Sequence, residues 1–242
     1  MEFMDSIEFW NSVYASGEVQ IPSDDAPVLN AALQHFGDVR GKRLLDIGCG
    51  RGEISVFFAS KGAHVVSVDT SPTAIANLKN FCSRHQIPNI TPVQLSAMEI
   101  ESAGSFDFVM GSMILHHIEP FAVFAEVMRR SLVSGGKAFF YENNAYSDLL
   151  IWFRKHVVGK LWVPKTSDNE EFPLTPAEIT ILRKHFGVQV EYPELLFFRL
   201  ISMCLLRGIF PEPFRRMDEF FYQFESMRKY SYRQYVILTQ SK

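Results

Sequence analysis

Leu44-Leu45-Asp46-Ile47-Gly48-Cys49-Gly50-Arg51-Gly52 decides the fold. Residues 43–48 form a short apolar run that ends in glycines, the mark of a buried strand. Residues 52–60 carry Ile54, Phe57 and Phe58 at helical spacing and predict the helix that follows. Glycine lets the backbone turn tightly and approach a ligand, because no Cβ intervenes. A ligand held there sits over the N-terminal end of a helix. A dinucleotide site more often reads Gly-x-Gly-x-x-Gly. Here the third glycine comes one residue early, and Asp46 precedes the first. A carboxylate beside the loop repels a pyrophosphate and suits a ligand with an amino group, which disfavours an NAD-dependent oxidoreductase.

Outward from the loop, strands and helices alternate. Residues 64–69 are a β-branched second strand, and Ser71-Pro72 opens a helix with a cap residue and a proline in the first turn. A third strand is predicted at 90–95, a fourth at 106–111, a helix at 121–132, a turn at Ser134-Gly135-Gly136 and a fifth strand at 137–142. This alternation predicts a parallel sheet with helices on both faces. After Asn144 the texture changes. A helix rich in large apolar residues is predicted at 146–162 and a polar loop at 163–173. Thr175-Pro176-Ala177-Glu178 reads as a helix start. A sixth strand at 188–192, helical stretches at 195–210 and 214–227, and a closing strand at 232–239 complete the chain.

At 242 residues and 47% hydrophobic composition, one α/β domain with an elaboration is expected. Its parts are an N-terminal helical cap at about 1–40, a cofactor-binding core at 41–144, a helical substrate-side insert with strand six at 145–230, and the closing strand at 231–242. The net charge of -3 argues against wholesale nucleic-acid binding, which needs clustered Lys and Arg. Cys49, Cys82 and Cys204 lack metal-ligand spacing, so no metal is expected, and they suit a reducing compartment such as the cytoplasm. The first residues show no basic, then apolar, leader pattern. The most apolar stretch, 195–206, contains Arg199 and is too short to span a bilayer, which takes roughly 20 apolar residues.

The stretch from Leu44 to Gly52 resembles the first motif of the class I, Rossmann-like, S-adenosylmethionine-dependent methyltransferases. Val65-Val66-Ser67-Val68-Asp69-Thr70-Ser71, Gln94-Leu95-Ser96-Ala97-Met98-Glu99, residues 106–118, Leu132-Val133-Ser134-Gly135-Gly136 and Phe9-Trp10-Asn11-Ser12-Val13-Tyr14 are similar to further segments of that family. The resemblance covers about 9–144 and 232–240. It implies a doubly wound, seven-stranded, mostly parallel sheet with an antiparallel last strand and a helical insert acting as a lid. It implies S-adenosylmethionine as cofactor and S-adenosylhomocysteine as product, held by Asp46, Gly48, Cys49, Gly50 and Gly52.

By the same resemblance, Asp69, with Thr70 beside it, accepts hydrogen bonds from the ribose hydroxyls, Ser71 taking the helix-cap role. Ser96, Ala97 and Met98 flank the adenine. The family often has an acid at the position of Ser96, so here its hydroxyl or the Ala97 and Met98 backbone must serve. Met98 packs either on the ring or in the core. Gly111 and Ser112 line the cofactor near its transferable methyl group, and Tyr14 closes over it. His116 and His117 follow. Either one is a base, or a histidine holds the loop; adjacent side chains diverge, so at most one faces a substrate.

More than half of the 22 Phe residues lie from Phe139 onward. In the family the segments after strand five commonly roof the acceptor, and here they offer Trp152, Phe153, Trp162, Phe197, Phe198, Phe210, Phe214, Phe220, Phe221 and Tyr222, either as that roof or as ordinary core. Arg199, Arg207, Arg215 and Arg216 flank these apolar stretches, either as a peripheral contact for an anionic membrane surface or as a solvated rim. The layout loosely resembles bacterial methyltransferases of quinone precursors, lipids or natural products. The expected activity is methylation of a small, apolar or aromatic acceptor, with oxygen the favoured atom. An RNA or protein methyltransferase would need a basic groove or an added domain. A non-catalytic cofactor-binding protein would keep Asp46, Gly48, Gly50 and Asp69. Acceptor identity and oligomeric state stay open.

Overall fold

The computed structural model describes residues 2–15, 18–23, 25–156, 172–207, 209 and 211–241; the side chains of 2–6, 153–155 and 204–205 fall outside the description. Helices α1 (Glu2–Ala15) and α2 (Pro27–Phe36) lead into β1 (Arg43–Ile47), α3 (Glu53–Ser60), β2 (His64–Asp69), α4 (Pro72–His85) and β3 (Ile90–Gln94). Then come β4 (Phe106–Ser112), α5 (Phe121–Ser131) and β5 (Leu132–Asn143). The remainder is α6 (Asp148–His156), α7 (Pro176–Leu182), β6 (Gly187–Glu191), α8 (Phe198–Leu206), α9 (Pro211–Tyr222), α10 (Glu225–Arg228) and β7 (Arg233–Thr239).

The sheet order is β3-β2-β1-β4-β5-β7-β6. β1 to β5 pair in parallel, and β7 runs antiparallel to both β5 and β6. The doubly wound sheet with an antiparallel last strand is therefore as expected. Direction of winding reverses between β1 and β4, so their C-terminal ends frame the crevice where ligands bind in open α/β sheets.

Two apolar layers cover the sheet. Leu44, Phe108, Met110 and Phe139 face one layer, with Phe36, Phe57 and Phe58 from α2 and α3. Leu45, Val109, Ala138 and Phe140 face the other, with Phe121, Phe124 and Met128 from α5. Neighbours in a strand point to opposite faces, so β1, β4 and β5 read as continuous apolar runs.

Several boundaries move for local reasons. The Ser134-Gly135-Gly136 turn is a bulge inside β5: Leu132 pairs with Phe106 but Lys137 with Phe108, and Gly135 has φ +74°. Helix α6 starts at Asp148 rather than 146, because the Ser147 hydroxyl accepts the Leu150 N–H at 3.3 Å. Helix α8 starts at Phe198, because Asp218 of α9 accepts the N–H groups of Phe197, Phe198 and Arg199 at 2.9, 2.9 and 3.1 Å. The start of α7 is as expected, with Glu178 accepting the Thr175 N–H at 2.5 Å. Trp162, Phe210 and most of the polar loop at 163–173 lie outside the described residues. Among the described residues, no helix is long and apolar enough to cross a membrane, and no His, Cys, Asp or Glu cluster could hold a metal.

Candidate functional site

The loop after β1 is tied down from behind. The N–H groups of Gly48 and Cys49 both donate to the Val68 carbonyl of β2, at 2.9 and 3.0 Å. Gly48 (φ +68°) and Gly50 (φ +46°) occupy the left-handed region. A Cβ at Gly48 would lie 2.7 Å from Ile114 Cδ1, and one at Gly50 would lie 2.9 Å from Tyr14 Oη. Glycine is thus required for conformation and for close approach alike. Gly52 is the N-cap of α3. The Cys49 thiol is pushed far up by burial and by the nearby carboxylates, which leaves it inert.

Asp46 lies completely buried under this loop. Its Oδ2 accepts from Ser55 Oγ at 2.6 Å, and Ser55 is in turn 2.6 Å from Ser67 Oγ. Burial pushes the carboxyl up to about 7. Its Oδ1 has no hydrogen-bond partner among the described residues.

Asp69, at the end of β2, bridges loop and strand. Oδ2 accepts the Gly50 N–H at 2.9 Å and Oδ1 the Ser71 N–H at 2.8 Å. Burial raises this carboxyl too. Ser71 caps α4 by accepting the Ala74 N–H at 3.2 Å, and it donates to Asn11 at 2.6 Å. The Thr70 carbonyl receives the Gln94 side chain at 3.2 Å.

After β3, the Ser96 hydroxyl accepts the Met98 N–H at 3.2 Å, and Glu99 accepts the Ser96 N–H at the same distance. Ala97 and Met98 are partly buried against the core. Helix α1 lies across this side of the loop. Tyr14 stacks on Trp10 with centroids 5.8 Å apart, and Asn77 holds the Tyr14 carbonyl at 3.0 Å. Burial, with Asp69 nearby, raises the Tyr14 hydroxyl well above the usual tyrosine range, so it stays protonated.

The segment after β4 is organised by a residue that the sequence reading passed over. Glu142 of β5 is fully buried. Its Oε1 accepts the N–H groups of Ile114 and Leu115 at 2.8 and 2.7 Å, and its Oε2 lies 2.6 Å from His116 Nδ1. His116 is only 3% exposed. His117 packs beside it, centroids 4.2 Å apart, and meets the Trp10 ring edge-on at 5.6 Å. A carboxylate at the end of the apolar run Ala138-Phe139-Phe140-Tyr141 was the available signal.

A cleft of about 510 Å³ opens at the crevice. Tyr14, Gly48, Cys49, Gly50 and Arg51 line one side, Met110, Ser112 and Tyr141 another, and Gln20, Ser23 and Ala26 to Leu29 a third. The start of α2 faces it, and Ala26 at the N-cap makes no side-chain cap. Gly111 sits behind Ile114, whose Cγ2 would be 2.6 Å from a Cβ there. Neither histidine is among the lining residues. Trp152 is 51% exposed and stacks on His156 of its own helix. Phe197 and Phe198 pack edge to face, and Phe198 meets Phe221 across α8 and α9. These three also lie away from the cleft lining. The Phe153 side chain lies outside the described residues.

Residues 44–136, which span the loop, Asp69 and both histidines, match the family model described as a methyltransferase domain. The ubiquinone biosynthesis O-methyltransferase of Idiomarina loihiensis is 31% identical over 150 residues, covering 60% of each chain. Its counterpart in Acinetobacter baylyi is 28% identical over 167 residues, 67% of this chain and 70% of that one. The chain thus spans less than two thirds of the Idiomarina relative. The N-methyltransferase NodS of Bradyrhizobium japonicum, solved with S-adenosylhomocysteine, shares the fold over 98% of both chains, with a TM-score of 0.58 at 14% identity. The methyltransferase-domain match thus falls on the glycine loop, Asp69 and the segment after β4, and the sheet order around it is that of the fold shared with NodS.

Proposed function

We propose that this protein binds S-adenosylmethionine at the Gly48–Gly50 loop and methylates an oxygen of a small aromatic acceptor. The observation that carries the binding half is Asp46. It is a completely buried carboxylate whose Oδ1 has no partner among the described residues, directly beneath a loop of bare backbone. A ligand ammonium near the loop offsets that buried charge; a pyrophosphate would aggravate it. The rest of the crevice fits the same group. Asp69 keeps lone pairs for ribose hydroxyls beyond its two backbone bonds. The uncapped start of α2 offers N–H groups to a carboxylate. Tyr14 covers the loop, and Ser96 to Met98 form the turn beside β3.

When bound, the cofactor supplies an electrophilic methyl group on a sulfonium. The chain's own contribution is to position the acceptor and keep water out. Ser112 and Tyr141 form the cleft wall next to the loop, and Glu142 holds the 114–116 segment against that wall. His116, buried and bonded to Glu142, acts in this reading as part of that support. The likeness to relatives named for O-methylation in ubiquinone biosynthesis supports an aromatic hydroxyl as acceptor. Large exposed apolar side chains on the insert, among them Leu149, Trp152, Met203, Leu206 and Phe220, support contact with a membrane surface, where an acceptor with an apolar tail would reside.

The test is release of S-adenosylhomocysteine over a panel of catechols, phenols, amines and thiols, with the methylated product identified by mass spectrometry. O-methylated catechol or phenol is expected. Turnover confined to amines or thiols would overturn the acceptor assignment.

A further inference from the structure

Arg233 opens β7 beside Asn143 at the end of β5. Its Nη1 donates to Asn143 Oδ1 at 2.5 Å and to Met113 Sδ at 3.3 Å. Its guanidinium lies over two rings, Tyr141 at 5.4 Å and Tyr232 at 5.6 Å. Four contacts from three segments therefore hold it in one plane. Two arginines of the insert are neutralised: Arg199 pairs with Glu194 and Asp218, and Arg215 with Glu212 and Glu219. Arg233 has no carboxylate partner among the described residues. The acid whose field reaches Tyr141, Glu194, is already engaged by Arg199.

The position of this cation is telling. Tyr141, on which it lies, and Ser112, which precedes Met113, both line the cleft. Asp46 and Asp69 sit at the ends of β1 and β2, whereas Arg233 sits across β4 and β5 on the other side of the crevice. Two carboxylates thus lie on the β1–β2 side of the crevice, and a fixed guanidinium lies on the β4–β5 side, stacked on the lining residue Tyr141 and not itself among the lining residues. Arg is planar, permanently charged and suited to a carboxylate or other anionic oxygen, and stacking on aromatic rings holds it ready.

We infer that Arg233 binds an anionic oxygen carried by the aromatic acceptor, either a ring carboxylate or an ionised ring hydroxyl. This rests on the methyltransferase reading above and adds the charge class of its substrate. A cation there anchors a ring carboxylate, or stabilises the phenolate form of the nucleophile in place of a histidine base.

The experiment measures equilibrium binding of three rings to protein saturated with S-adenosylhomocysteine: 3,4-dihydroxybenzoate, 4-nitrocatechol above its first ionisation, and 4-methylcatechol. Wild type is expected to prefer at least one anionic ring to 4-methylcatechol by about ten-fold. Preference for the benzoate alone identifies the carboxylate, and preference for the nitrocatechol alone the phenolate. Arg233→Gln should erase the preference and Arg233→Lys retain part of it, with S-adenosylhomocysteine affinity within about two-fold of wild type in both. No preference in wild type, or one that survives Arg233→Gln, overturns the inference. Failure of wild type to bind S-adenosylhomocysteine would instead count against the methyltransferase reading.

Discussion

Glu142 and His116 lie 2.6 Å apart, both withdrawn from solvent, and the same carboxylate holds two consecutive backbone N–H groups of the segment that faces the glycine loop. One side chain on β5 thereby fixes where Ile114 packs against Gly48 and Gly111. Glu142→Ala leaves two backbone donors and a histidine without their acceptor. Each such loss costs about 1–3 kcal/mol when buried, so a destabilisation on the order of 3 kcal/mol or more is expected in urea melts. Glu142→Gln retains an acceptor oxygen and should lose clearly less. Equal losses would mean that the hydrogen bonds are not what holds the segment.

Asp46 gives a pH signature. Its folded carboxyl titrates near 7, above the ordinary carboxylate value of about 4. The folded state therefore binds the extra proton between those limits, and Asp46 erodes stability as pH rises from about 4 to about 7. Asp46→Asn mimics the protonated form. Its melting temperature should exceed that of wild type at pH 8, and the gap should narrow as pH falls and close near pH 4. A gap independent of pH would show that the carboxylate is compensated in the ligand-free protein.

Asp69→Ala should weaken S-adenosylhomocysteine binding by about 1–3 kcal/mol, the range for losing charge-assisted hydrogen bonds. The variant also frees the Gly50 and Ser71 N–H groups, so its loop should exchange amide hydrogens faster. Unchanged affinity, measured by calorimetry, would restrict Asp69 to its backbone bonds.

Trp152→Ala tests the roof. A core tryptophan truncated to alanine costs roughly 3–5 kcal/mol. Trp152 is half exposed and stacks on His156 of its own helix, so less than about 1 kcal/mol should be lost. If it roofs the acceptor, the acceptor's KM rises while cofactor affinity holds. A large fall in melting temperature with unaltered kinetics would assign it to packing instead.

The sheet was legible because its determinants are local. Apolar runs of strand length end at Gly48, Asp69 and Gly111, and helix starts are marked by Ser71-Pro72 and Thr175-Pro176. The backbone course of the glycine loop and the place of Asp69 at the end of β2 were legible for the same reason, since backbone requirements write themselves as residue types. The Glu142 support was not, because its partners lie 26 to 28 residues away in the chain and meet only across paired strands. The start of α8 was misplaced for a similar cause: its cap, Asp218, comes from the following helix. Gln20, Ser23 and Ala26 to Leu29 carry no motif, and they join the cleft because the chain leading into α2 and the start of that helix pack across the crevice.

The most direct measurement is calorimetric titration of the purified protein with S-adenosylhomocysteine and, separately, NAD, repeated on Gly50→Val. A Cβ at Gly50 would already crowd the Tyr14 hydroxyl at 2.9 Å, and the branched side chain would fill the face on which the ligand must lie. Wild type is predicted to bind S-adenosylhomocysteine at one site and not NAD, and Gly50→Val to lose that binding more completely than Asp69→Ala. Binding of NAD without S-adenosylhomocysteine, or normal S-adenosylhomocysteine binding by a folded Gly50→Val protein, would contradict the account.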